Sequence, residues 1–114
     1  MNNHIRVRAI TRMLRDAEHK AGIVIRDPKC LRMSRILALQ EAGERELRIA
    51  EQNSAAVRDA LALPQSEMVE AFILEHGLRA RRALQTAHMM FDFAEELART
   101  PVPERSGDAA RQSL

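Results

Sequence analysis

The sequence predicts an all-α fold: a long antiparallel helical hairpin at about 28–62 and 67–99, preceded by a short N-terminal helix. Three observations predict it. The chain is rich in Ala, Leu, Arg and Glu, which are strong helix formers, and only 3% of its 114 residues are aromatic. Two long stretches carry apolar or small residues in alternating steps of three and four. A single strong breaker, Leu63-Pro64-Gln65-Ser66, separates them. An all-β sandwich or barrel needs β-branched and aromatic strands with many turn residues; this chain has no Trp or Tyr, three Phe, four Gly and four Pro. A nucleobase-stacking platform lacks its rings for the same reason.

The first element covers residues 4–21. Ile10, Met13, Leu14, Ala17 and Ala21 recur at helical spacing, and Gly22 supplies a stop. Residues 4–10 also alternate in the manner of a short strand, and the helix is preferred from about Ile5. Ile23-Val24-Ile25-Arg26-Asp27 reads as an extended connector. Asp27 then stands as N-cap with Pro28 at the first helical position.

The second helix runs for about 50 Å at 1.5 Å per residue. Its expected seam is Met33, Ile36, Gln40, Gly43, Leu47, Ala50, Ser54, Val57 and Leu61. Small residues in its middle allow close helix approach while burying little area each. Gly43 in a helix interior costs about 1 kcal/mol relative to Ala, which a large facing side chain would explain. Ser66 caps the third helix. The seam expected there is Ile73, Gly77, Ala80, Leu84, Ala87, Phe91, Ala94 and Ala98, with a second stripe at Val69, Phe72, Leu78, Ala83, Met90, Phe93 and Leu97. If the turn centres on Pro64–Gln65, facing residue numbers sum to about 129, which sets Gly43 near Ala87. Residues 1–99 form one helical domain, and the Pro-, Ser- and charge-rich residues 100–114 read as a disordered tail. The extra apolar stripe needs a further surface, which the first helix folding back or a homodimer closing a four-helix bundle supplies, separately or together, and the homodimer is preferred.

Charge is unevenly spread. Residues 1–35 carry nine basic and three acidic groups, a net of +6, within a chain of net charge +2. Arg6, Arg8, Arg12, Arg15 and Lys20 make the first helix a candidate for phosphates, an anionic surface or an acidic protein. Arg79, Arg81 and Arg82, with Arg45 and Arg48 across the hairpin, form a second basic cluster. Its alternatives are ion pairs between the helices or an anion site centred on Arg79 and Arg82. The Met and Phe positions Phe72, Met89, Met90 and Phe93 are either core or an adaptable partner-binding flank.

No pattern supports catalysis. The four histidines are dispersed, Cys30 has no base at fixed spacing, no Gly-rich phosphate loop is present, and no Glu-x-x-His pair suits a di-metal bundle. No cofactor or metal is expected. A lone cysteine, no apolar run long enough to span a membrane and no secretory signal fit a cytoplasmic protein. The leading expectation is a small non-enzymatic interaction protein of bacterial or phage type, acting as an adaptor, chaperone or inhibitor by stoichiometric binding. A nucleic-acid-binding regulator using the basic N-terminal third is the alternative.

Overall fold

The computed structural model describes residues 3–101, with side chains from Val7 onward. The tail expected at 100–114 therefore lies outside the described residues from Val102 on. Three helices follow in order: α1 (Asn3–Lys20), α2 (Pro28–Leu61) and α3 (Glu67–Arg99). No strand occurs among the described residues, and residues 4–10 are helical. α2 and α3 pack as a hairpin.

The helix ends form where the local chemistry places them. α1 closes on a Schellman motif: Ile23 N–H donates to Glu18 C=O at 2.9 Å, and Gly22 N–H donates to His19 C=O at 3.1 Å. Gly22 sits at φ +71°, a conformation that glycine adopts without strain. Asp27 caps α2: its Oδ1 accepts from Lys29 N–H at 3.1 Å, and Pro28 occupies the first helical position, where no N–H is needed. The C-terminus of α2 tightens through Ala62 N–H to Asp59 C=O and Leu63 N–H to Ala60 C=O. Ser66 Oγ then accepts from Val69 N–H at 3.2 Å, and Glu67 and Glu70 lie in the first turn, where the helix dipole favours acids.

Among the described residues the chain divides into two compact units, 3–37 with 95–101 and 38–94. In the first, Ile10 and Ile36 are buried. Arg35 grips Glu18 through two charge-assisted bonds, Nε to Oε2 at 2.8 Å and Nη2 to Oε1 at 3.0 Å. Arg32 donates to the carbonyls of Leu97 and Thr100, satisfying orphan acceptors at the end of α3. Two arginines of one helical turn thus tie α2 to both α1 and α3.

The second unit holds the middle of the hairpin. Its buried residues are Leu39, Gly43, Ala50, Ala60, Ala83, Ala87, Phe93 and Ala94. The seam keeps about half of its expected members buried or half-buried in place, leaves Ser54, Gly77 and Phe91 half-buried at its edge, and shifts the rest by one position. Ile36, Gly43, Ala50 and Val57 face inward on α2, but the intervening members are Leu39, Glu46, Asn53 and Ala60. Met33, Gln40, Leu47 and Leu61 are exposed. On α3, Ile73, Ala80, Ala87 and Ala94 hold their places, while Ala83 and Leu97 replace Leu84 and Ala98. Both helices are rotated the same way, which brings alanines together and leaves leucines outside. Small residues in a seam allow helix axes to approach closely. The ring of Phe91 lies against Gly43, one turn beyond the Ala87 expected there; a Cβ on residue 43 would stand 2.6 Å from Phe91 Cε1.

Candidate functional site

The residues singled out from the sequence separate by burial. Phe93 is 5% exposed and is core, so it is not open to a partner in this fold. Met89 and Met90 are half-buried. Phe72 is 41% exposed and is the member of the group that reaches the surface as a large apolar side chain.

Phe72 lines an open hollow of about 440 Å3 near the hairpin turn. Ala56, Asp59, Ala60 and Leu63 form its α2 side, and Met68, Val69 and Phe72 its α3 side. The hollow follows from the sequence. Alanines at 56 and 60 leave space where larger residues would fill the groove. The breaker at Leu63–Ser66 ends the packed stretch, and Leu63 and Met68 beside it are exposed. Asp59 is its one charged lining residue.

A polar chain holds Phe72 in place. Asn53 Nδ2 donates to the Ile49 carbonyl at 2.9 Å, which leaves Asn53 Oδ1 as an acceptor. His76 Nδ1 lies 2.7 Å from that oxygen, so the ring is assigned its proton on Nδ1. The His76 ring packs on Phe72 with centroids 4.0 Å apart, tilted by 39°. This Asn53–His76 bond joins α2 to α3 and pins their register beside the hollow. The sequence shows the four histidines only as dispersed and carries no signal for this partner of His76, which lies 23 residues away.

The basic candidates divide as well. Arg8, Arg12 and Arg15 are exposed and share one face of α1 at steps of four and three; the Arg6 side chain lies outside the described residues. Arg79 is paired with Glu75 on its own helix, whereas Arg82 is exposed, as are Arg45, Arg48 and Arg81. The ion pairs among the described residues are Glu18–Arg35, Glu75–Arg79 and Glu96–Arg99, and none of them joins α2 to α3. Ion pairing between the hairpin helices is one of the two alternatives for the Arg cluster, and no such pair occurs among the described residues. Cys30 is exposed and donates to Asp27 Oδ2 at 3.3 Å; that bond, the Asp27 charge and slight desolvation push its thiol above the usual range. It is no activated nucleophile. Among the described residues no three His, Cys, Asp or Glu side chains come together as a metal site, and no helix is long and apolar enough to cross a membrane. No protein-family model, curated protein or solved structure matches the chain.

Proposed function

We propose that the protein is a non-enzymatic interaction module, an adaptor, chaperone or inhibitor that works as a homodimer by stoichiometric binding of a protein partner. The observation that carries this reading is the hollow at Phe72. A cavity of about 440 Å3 lined by apolar side chains is the size that receives large side chains from an amphipathic helix. A pre-positioned aromatic, fixed by His76 and Asn53, is the kind of anchor that dominates binding energy, because little order is lost when it is covered. The buried set supports the same reading. Of the nine buried hydrophobic residues five are alanine, so much apolar surface stays outside the core.

Retention of a co-purifying protein by the full chain tests it. Wild-type chain is expected to hold a partner in fixed molar ratio, and Phe72→Asp to lose it with helical content unchanged. Retention unchanged by Phe72→Asp contradicts the reading.

A second reading rests on the exposed Arg8–Arg12–Arg15 face, which has the charge and spacing to follow phosphates. It requires nucleic acid to be retained at about 50 mM salt, with retention falling steeply as salt rises and lost when all three arginines become Ala.

A further inference from the structure

We infer that a second copy of this chain docks on the hairpin flank formed by Leu47 and Leu84, with each copy's α2 laid against the other's α3. The inference rests on the homodimer reading above and gives that dimer its face and register.

The rotation of the seam creates the flank. Leu47 and Leu61 on α2, and Leu84 on α3, fall one position beside the buried column on their helices. They are 38%, 59% and 42% exposed. These are the positions where a helix meets a third and fourth neighbour in a bundle. Ser54 and Gly77 continue the same two columns, seven residues from Leu47 and Leu84. Among the described residues, and apart from its chain neighbours and its own helix backbone, nothing lies within 4 Å of where a Cβ on Gly77 would stand. Unlike Gly43, this helix-interior glycine has no close neighbour within its own chain to account for it.

The charges beside the leucines select the occupant. In the middle of the hairpin the next column outward carries Glu44 and Glu51 on α2, between Leu37 and Arg58, and Arg81 and His88 on α3, between Leu74 and Glu95. Among the described residues Glu44, Glu51 and Arg81 take part in no ion pair. Two cross-helix contacts, Asn53–His76 and Gly43–Phe91, bracket the levels. Interpolation between them sets Arg81 near Ala50–Glu51, Leu84 near Leu47 and His88 near Glu44. A two-fold axis running parallel to the helices preserves level and exchanges α2 for α3. It therefore sets Glu51 against Arg81 of the second copy, Glu44 against His88, and Leu47 against Leu84, each contact made twice. Ser54 meets Gly77 and allows the close approach. One chain carries both halves of this charge pattern, so a second copy completes it without any other partner.

The experiment is sedimentation equilibrium of the full chain, wild type and four variants, with circular dichroism as the check on folding. Wild type is expected to be a dimer at about 100 μM, a concentration that even a modest symmetric interface populates. Leu84→Lys, a change at an already exposed site, is expected to give a helical monomer. Glu51→Arg and Arg81→Glu are each expected to raise the dimer dissociation constant at least tenfold, and the chain carrying both to recover most of that loss. A monomeric wild type overturns the inference. So does a dimer indifferent to Leu84→Lys, or a double exchange no better than either single change. A helical Leu84→Lys chain that stays dimeric but loses a co-purifying protein also overturns it, since the flank would then belong to that protein. Phe72 lies on the opposite flank of the hairpin seam. Partner capture sensitive to Phe72→Asp in a monomeric wild type would remove this dimer and leave the binding module standing.

Discussion

At Gly43 a hydrogen atom stands where a methyl group would meet the Phe91 ring at 2.6–3.0 Å. A helix-interior Gly→Ala change ordinarily stabilises by about 1 kcal/mol. Here overpacking costs about 1–3 kcal/mol and outweighs that gain. Gly43→Ala is therefore expected to lower stability in urea melts. Phe91→Leu in the same chain is expected to recover part of the loss, with a coupling of at least about 0.5 kcal/mol in a double-mutant cycle. Additive effects would mean that the two residues do not meet. A large neighbour for Gly43 was legible in the sequence; its identity was not, because the pairing rule is uncertain by a turn along a helix this long. Cys30 gives a second test at the same scale. Asp27 accepts its S–H and stabilises the thiol form, so Asp27→Asn is expected to speed alkylation by iodoacetamide near pH 8. An unchanged rate would mean the contact does not form in solution.

Among the elements, α1 is held by the grip of Arg35 on Glu18, with both side chains less than one-fifth exposed. Hydrogen bonding from Arg35 holds the Glu18 carboxyl below its usual range. Burial works against this shift, and the charges of Arg35 and Arg15 add to it. A lowered folded-state value means that the contribution is fully present above the unfolded value of about 4.5. It is lost as pH falls through the lower folded value. Stability is expected to drop as pH falls from about 4.5 towards that lower value, and Glu18→Gln to flatten this part of the profile. At neutral pH the same change is expected to cost about 1–3 kcal/mol, since it leaves a half-buried guanidinium without its anion. Calorimetry from pH 6 to pH 3 reads both effects, and parallel profiles would contradict them. The helix ends were legible because Gly22, Asp27-Pro28, Pro64 and Ser66 act on their immediate neighbours. The Glu18–Arg35 and Asn53–His76 contacts were not, since each joins residues on different helices and no local pattern marks it. The seam was half legible: spacing found the shared column at Gly43, Ala50, Ala80 and Ala87, but not the choice between flanks, which close alanine packing decides.

Over the molecule as a whole, fourteen large hydrophobic side chains are exposed among the described residues, and the core of the hairpin is mostly alanine. A helical hairpin of this kind buries too little to finish its own core, and burial at about 25 cal/mol per Å2 favours covering the remainder. The sequence made that shortage visible through its wide apolar stripes. It could not locate the hollow, which is lined by residues of both helices, Ala56 and Ala60 on one side and Met68 and Phe72 on the other. Nor did it separate Phe72 from Phe93, which differ in exposure eightfold, 41% against 5%. The measurement that bears most directly on partner binding is photo-crosslinking in cells expressing the full chain, with a benzophenone side chain placed at Phe72 or at Arg12. The expected result is one dominant protein adduct from position 72, competed by added wild-type chain, and none of comparable yield from position 12. Adducts to nucleic acid from position 12, with no protein adduct from position 72, would contradict it.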